Sequence, residues 1–219
     1  MGDTDASPST RQPFVPPSPP KTPKAAGTRR RLLDVAGGLF MERGYSAVSM
    51  REIAAEAGLT HGAIYGHFRS KGQLLVEVIR WKLADRDHTA GFAEATTDPA
   101  RGVGLMYDES RRDIRLLEVD AAAAARHDPD IAAGLAELYE ERHDRIRQAV
   151  SDLRDPDTVV WLINALVFGI GMREAIGLPV PPGSQLGDVI LEALVGLAAP
   201  GSDLGALAAH AVDDDIEPV

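Results

Sequence analysis

The sequence predicts an all-α protein with two domains, a small N-terminal domain built on a helix-turn-helix and a larger helical domain after it. Capping residues and a helix-stopping glycine mark two short helices between residues 49 and 68. Further along, Asp-Pro pairs at 98–99, 128–129 and 155–156 each place an N-cap residue before a proline at the first helical position. No stretch alternates apolar and polar residues as a half-buried strand would.

The chain opens with a segment that cannot bury apolar surface. Residues 1–26 are rich in proline, serine and threonine, which predicts a disordered arm. Apolar residues then repeat at helical spacing over 28–43, and Gly44 ends that helix. We place the first domain at 27–86, the second at 87–200, and a disordered acidic tail at 201–219.

The helix-turn-helix is defined by its capping residues. Ser49 and Glu52 form a capping box at the start of its first helix. Gly58 stands where that helix should stop, because glycine adopts the left-handed conformation without steric cost. Thr60 can cap a second helix over 60–65, which is too short to be stable without its neighbours.

A third helix, predicted over 71–87, begins at a second capping box formed by Ser70 and Gln73, and it connects the two domains.

In a helix-turn-helix the second helix enters the major groove of DNA while the first lies across the backbone. The outer residues of the second helix, which we expect in the groove, are His61, Gly62, Ala63 and Tyr65.

This stretch resembles the N-terminal domain of the TetR family of bacterial transcription regulators. The matching positions are Ser49, Ile53-Ala54, Ala57-Gly58-Leu59, Gly62, Ile64-Tyr65, His67-Phe68, Ser70-Lys71 and Leu74, and the resemblance covers about residues 28–82. It implies a homodimer that binds a palindromic operator in double-stranded DNA and responds to a small-molecule effector. Residues implied to contact phosphates or border the groove are Ser49, Arg51, Thr60, Tyr65, His67 and Lys71. Those implied to lie nearest the base edges are His61, Gly62 and Ala63.

The distribution of charge agrees with a DNA-binding head. The whole chain has a net charge of −10, but residues 21–82 carry 11 Lys and Arg against 5 Asp and Glu, a net charge of +6. Residues 83–219 have a net charge of −15. A basic first domain on an acidic body favours phosphate binding at one end and repulsion of DNA elsewhere.

The second domain is predicted to contain helices over 108–126, 129–153, 156–176 and 184–198. The helix over 156–176 is apolar on two faces, so it must bury one face in its own core and the other against a second subunit or against another part of the monomer. Together with the last helix it is predicted to form a four-helix dimer interface, from Val160, Ile163, Val167, Val189, Ile190 and Leu194. The large, soft side chains of this domain could be ordinary core residues, but the resemblance implies an effector pocket here, lined by some of them and one polar group: Phe92, Met106, Tyr107, Trp161, Asn164, Phe168 and Met172.

Two alternative functions are left open. Glu140 and His143 have the spacing of carboxylate-bridged metal sites in helical bundles, although no second copy of the motif is present. A helix-turn-helix can also serve to bind protein. We predict no catalytic residues, no metal and no cofactor. The chain has no cysteine, no apolar run of about 20 residues and no secretory signal, so we expect a cytoplasmic protein without a membrane anchor.

Overall fold

A computed structural model describes residues 13–84, 107–151, 153 and 155–195. These residues form helices but no β-strand, which confirms the all-α class. The helices are α1 (Pro23–Arg43), α2 (Met50–Glu56), α3 (His61–Tyr65), α4 (Lys71–Ala84), α5 (Arg112–Ala125), α6 (Pro129–Ala149), α7 (Pro156–Ala175) and α8 (Gly183–Val195), with a 3-10 turn at Glu109–Arg111.

Helices α1 to α4 form the head. Their shared core includes Leu32, Phe40, Ile53, Ile64 and Phe68, each at most 1% exposed. The same core continues into the body through residues of α5 and α6, so the head and the body are packed as one unit. Burial on this scale holds in place helices that are too short to be stable alone.

Helix α1 begins five residues earlier than predicted, so the expectation of a disordered arm does not hold for residues 23–26, which are helical. The Thr22 side chain accepts a hydrogen bond from the Ala25 backbone nitrogen (3.2 Å), and Pro23 occupies the first turn. Thr22 followed by Pro23 is the same kind of helix-start signal as the Asp-Pro pairs. It determines the start of α1 despite the polar composition of the arm.

Residues before α1 also pack on the protein. Phe14 is half-buried against the core, and a Cβ added at Gly134 would come within 2.9 Å of its Cδ2 atom. The Val15 carbonyl accepts a hydrogen bond of 2.6 Å from Nε2 of the buried Gln73. This part of the arm therefore crosses the contact between α4 and α6.

Helices α6 and α7 begin where the sequence predicted, whereas α5 begins at Arg112, after the 3-10 turn, and not at 108. Asp128 accepts hydrogen bonds from the backbone nitrogens of Asp130 and Ile131 at the start of α6. Asp155 accepts one from Thr158 at the start of α7. The Asp-Pro pair at 98–99 and the predicted tail at 201–219 lie outside the described residues.

Helix α7 has two unlike apolar faces. Val159, Val160, Ile163 and Ile170 are at most 8% exposed inside the body. On the opposite face the large apolar side chains are solvent-exposed: Trp161, Leu162, Leu166, Phe168, Met172 and, just after the helix, Ile176. Within the described part of the chain, α7 is the helix long and apolar enough to cross a membrane. A single such helix is weak evidence for a membrane span, because core helices of soluble proteins pass the same test.

Candidate nucleic-acid interface

The turn between α2 and α3 is fixed by local hydrogen bonds. The Ser49 hydroxyl accepts from the Glu52 backbone nitrogen (3.2 Å), and the Glu52 carboxylate accepts from the Ser49 backbone nitrogen (2.9 Å), so the predicted capping box is present. The Ser49 hydroxyl also donates to the Glu52 carboxylate, and this bond, followed by the one from the Ser49 backbone nitrogen and the one from the Arg43 side chain, lowers the pKa of Glu52 to about 2. Gly58 has φ of 70°, and the next backbone nitrogen donates to the Ala54 carbonyl (2.8 Å).

Helix α3 exposes the face that was predicted to enter the groove. Ile64 is fully buried, while His61, Gly62 and Tyr65 are exposed and Ala63 is half-buried. The His61 and Tyr65 rings meet edge to face at 5.2 Å between centroids, so these side chains stand side by side on the surface. No atom lies within 4 Å of a Cβ added at Gly62, which leaves its backbone open to close approach.

Of the residues that the resemblance assigned to phosphate contacts, some have side chains exposed to solvent and others are already bonded or partly buried within the protein. Arg51 has an exposed side chain on α2. The hydroxyls of Ser49 and Thr60 both act as N-caps, and the Ser49 hydroxyl also donates to Glu52 (2.7 Å). His67 is half-buried, and its pKa is lowered by burial and then by the nearby charge of Arg29.

Lys71 holds the loop between α1 and α2. Its Nζ donates to the carbonyls of Tyr45 and Val48, each at 2.9 Å, and lies 4.1 Å from the centroid of the Tyr45 ring. Partial burial lowers the Lys71 pKa, against the opposing effect of Asp128 and Glu52. Two of its three ammonium protons are already used inside the protein. Lys71 therefore has a structural role in the α1–α2 loop in addition to the phosphate contact that the resemblance implies.

The loop that Lys71 holds is also the junction between head and body, which the sequence reading missed. The Tyr45 backbone nitrogen donates to Asp120 on α5 (3.1 Å), and the Tyr45 hydroxyl donates to Asp128 (3.3 Å). Burial, followed by the charge of Asp128, raises the Tyr45 pKa. The sequence identified Asp128 only as a helix cap, because its second partner lies 83 residues away.

A second set of contacts joins α4 to α6 at the same place. The Ser70 hydroxyl donates to Asp130 (2.7 Å), and the Arg69 guanidinium pairs with the same carboxylate at 2.6 Å. The hydrogen bond from Ser70, with a smaller effect of Arg69, lowers the Asp130 pKa. A Cβ added at Gly72 would lie 2.6 Å from an Asp128 oxygen, so the helices approach too closely there for a side chain.

Beyond this junction, two cavities lie among the body residues that the structure describes. One, of about 600 Å³, lies between Tyr107, the Arg115–Glu174 ion pair and the loop over 177–183. The other, of about 40 Å³, lies between the end of α4 and helices α5, α6 and α7, and Asn164 and Val167 line it. The two cavities share Arg115.

The structure places the predicted pocket residues on opposite sides of α7. Tyr107 lines the larger cavity and Asn164 the smaller. Trp161, Phe168 and Met172 instead lie exposed on the outer face of α7, so their assignment to a pocket is corrected. Phe92 and Met106 lie outside the described residues.

Some of the residues that were predicted for the dimer interface are instead buried inside the monomer. Val160 and Ile163 are buried within the monomer, and Val167 and Ile190 pack beside Tyr107 and Ile170. Val189 is 61% exposed, and the Leu194 side chain lies outside the described part. An interface on α7 would therefore use its outer face instead of Val160 and Ile163.

The Glu140–His143 pair does not gather further ligands among the residues described. His143 Nε2 lies 3.3 Å from Asp157, which also pairs with Arg147 at 2.8 Å, so this histidine joins the end of α6 to the start of α7. No group of three or more His, Asp or Glu that could hold a metal ion occurs in the described ranges.

Comparisons with known proteins match both parts of the chain. The family model described as "Bacterial regulatory proteins, tetR family" matches residues 32–78, and the one described as "BetI-type transcriptional repressor, C-terminal" matches residues 105–199.

Two curated relatives and one solved structure illustrate the extent of the similarity. HTH-type transcriptional repressor KstR2 of Rhodococcus jostii is 43% identical over 72 residues, 33% of this chain and only 35% of that protein. HTH-type transcriptional repressor Rv1474c of Mycobacterium tuberculosis is 31% identical over 140 residues, 61% of this chain and 72% of that protein. A TetR-family regulator from Rhodococcus sp. has the same fold, with a TM-score of 0.66, 17% identity and coverage of 77% of this chain and 98% of that one.

Proposed function

The chain belongs to the TetR family of bacterial regulatory proteins, and from this premise we propose that it is a homodimeric repressor released from a palindromic DNA operator by a small-molecule effector. The observation that carries the proposal is the exposed face of α3. His61, Gly62 and Tyr65 face outward from a helix that is anchored underneath by the fully buried Ile64.

This geometry fits the separate roles that base contacts and phosphate contacts have in DNA recognition. Base contacts specify the sequence and phosphate contacts position the protein. Gly62 permits the backbone of α3 to approach the groove floor, while His61 offers ring nitrogens to base edges. Arg51, exposed on the preceding helix, is placed to bind a phosphate as α2 lies across the backbone.

The outer face of α7 supports the dimer part of the proposal. An exposed apolar surface with a tryptophan, a phenylalanine and several aliphatic side chains is typical of a protein–protein interface. A second copy seated there would pair α7 with α7 and bury Val189 of α8 as well. Two heads related by a twofold axis would then reach successive major grooves, about 34 Å apart.

Release by an effector requires that the cavities and the heads be coupled. The smaller cavity lies on α5 and α6, and these helices carry Asp120, Asp128 and Asp130, which hold the head through Tyr45, Ser70 and Arg69. An effector that favours a different placement of α6 would thus alter the spacing of the heads and weaken operator binding. Because its partner is DNA, we place the protein in the cytoplasm.

Selection of bound sequences from random duplex DNA tests the proposal. We expect a palindromic site whose binding weakens steeply with salt, because phosphate contacts release counterions. His61→Ala should change the preferred sequence. The matched control, Arg51→Ala, should lower affinity about equally on all sequences and reduce the slope of log K against log salt by about 0.9.

Two outcomes would count against the proposal. Salt-independent or undetectable duplex binding would favour a helix-turn-helix that binds protein. If His61→Ala weakened binding uniformly without altering the preference, α3 would not be the recognition helix. The TetR family consists of regulators, which argues against the metal-dependent enzyme, and metal analysis of the purified protein tests that alternative directly.

A further inference from the structure

The smaller cavity of the body has a composition that points to the chemistry of its occupant. Most of its wall is apolar, with Ile114, Ile146 and Ile163 on three different helices. Its polar wall is formed by five side chains: Arg111, Arg115, Glu118, Arg142 and Asn164. Four of these five are charged, and Arg111, Arg115, Glu118 and Arg142 are at most 8% exposed.

Some of these polar atoms are fully used by the protein. Arg115 donates through Nε and Nη2 to the Glu174 carboxylate, at 2.8 and 2.5 Å, and through Nη1 to the Asp108 carbonyl at 2.9 Å. Glu118 accepts from Nη1 of Arg142 at 2.8 Å. These two ion pairs fix the orientation of both arginines.

Two buried atoms of this wall have no hydrogen-bond partner. Within the described structure, these are Nε of Arg142 and Oδ1 of Asn164. A buried polar atom without a partner destabilises the protein, so an orphaned donor and an orphaned acceptor on two residues that line one cavity indicate a site for another molecule. The volume of about 40 Å³ exceeds the 10–15 Å³ or so that one water needs, and it suits a polar head group of a few atoms.

The charges around the two atoms select among head groups. A cation would face the guanidinium of Arg142, with Arg111 on the same wall. A neutral amide could bond to both orphaned atoms, but the side chains that line the cavity include three arginines and one glutamate, and this excess of positive charge favours an anion. The Arg111 pKa is lowered by burial and by the charge of Arg115, so added negative charge there would be favourable.

We propose that the effector is an organic acid whose carboxylate accepts a hydrogen bond from Nε of Arg142 and whose apolar chain lies against Ile114, Ile146 and Ile163. The inference rests on the proposed function, since it names the chemical class of the effector. The Asn164 amide takes part after a half-turn of its end group, which exchanges Oδ1 for Nδ2 and directs a donor to the second carboxylate oxygen.

Isothermal titration calorimetry with three probes small enough for the cavity tests the assignment. We expect acetate to bind at least about tenfold more tightly than acetamide, and ethylammonium not to bind. Arg142→Lys keeps a positive charge beside Glu118 but removes the Nε donor, and it should weaken acetate binding at least about tenfold. The matched control is Arg145→Lys, at an exposed arginine on the same helix, which should bind acetate as the unmodified protein does.

Asn164→Asp is a second variant on the opposite wall, and it should abolish acetate binding because two carboxylates would meet. Equal or tighter binding of acetamide, no binding of acetate, or acetate binding insensitive to both variants would overturn the proposal. The titrations contain no DNA, so their failure is distinct from a failure of operator binding, which would instead refute the repressor function. Thermal unfolding of each variant verifies that it is folded.

Discussion

Replacing Trp161 by glutamate should convert a dimer into a folded monomer. Trp161 is 66% exposed on the outer face of α7. If the exposed part of a side chain that can bury up to about 250 Å² becomes covered, about 165 Å² leaves water. At about 25 cal/mol per Å² this contributes roughly 4 kcal/mol per subunit.

A twofold axis doubles the effect, because each subunit contributes its own tryptophan. The introduced carboxylate would also be buried without a partner, which is destabilising by several kcal/mol. The loss of freedom on association is the same for the variant and the unmodified protein and cancels in the comparison, so we expect the dimer dissociation constant to rise at least about a thousandfold.

Sedimentation equilibrium, with far-UV circular dichroism as the check on folding, measures the result. Ala123→Glu provides the control, since Ala123 is exposed on α5 and not on the outer face of α7. Trp161 is a better test position than Leu194, whose side chain lies outside the described structure. A Trp161→Glu protein that remains a dimer of unchanged affinity would place the interface elsewhere, and loss of helical structure would contradict the exposure of Trp161.

Three further changes test packing and pH dependence. Glu174→Gln should lower the free energy of unfolding by about 3–5 kcal/mol, because it leaves the 2%-exposed Arg115 without its charged partner. In urea denaturation, the double variant Arg115→Leu, Glu174→Leu should recover most of this lost free energy. Phe14→Ala should lower the unfolding free energy by about 1–2 kcal/mol, since its ring is only half-buried, and an unchanged urea midpoint would show that the arm does not pack in solution. Glu52→Gln should flatten the fall in Tm between about pH 4.5 and pH 2, because a carboxylate whose pKa is lowered to about 2 contributes stability above its unfolded pKa and loses it as pH falls through the folded value. An acid branch identical to that of the unmodified protein would show that the Ser49 and Arg43 contacts are not maintained.

The helix-turn-helix could be predicted from the sequence because its determinants are local. The capping box at Ser49, the left-handed Gly58 and the Thr60 cap each act within three residues of their partners, and all three are present in the structure. The start of α1 depends on an equally local signal, Thr22 followed by Pro23, which lies within an arm whose overall composition is typical of disorder.

The two faces of α7 could not be assigned from the sequence, because apolar side chains stand on both. Periodicity locates the faces of a helix but does not indicate which one meets the protein's own core. Val160 and Trp161 are adjacent in the chain, yet one is fully buried and the other 66% exposed. The choice is made by α5, whose Arg115 reaches Glu174 and whose backbone lies 3.1 Å from a Cβ added at Gly171. The close approach at Gly171 directs Ile163 and Ile170 inward, and Trp161 and Met172 necessarily face out.

The junction between head and body shows how one residue can serve both stability and signalling. Asp128 caps α6, accepts a hydrogen bond from the Tyr45 hydroxyl and stands against Gly72 at the start of α4. The N-terminus of α6 therefore cannot move without changing the contacts of both the α1–α2 loop and α4. Since Lys71 joins that loop to α4, any displacement that an effector imposes on α6 would reach the head as a change in its placement and not as local loosening. A rigid transmission of this kind requires a continuous core between the two domains, which Ile131 and Leu135 of α6 supply.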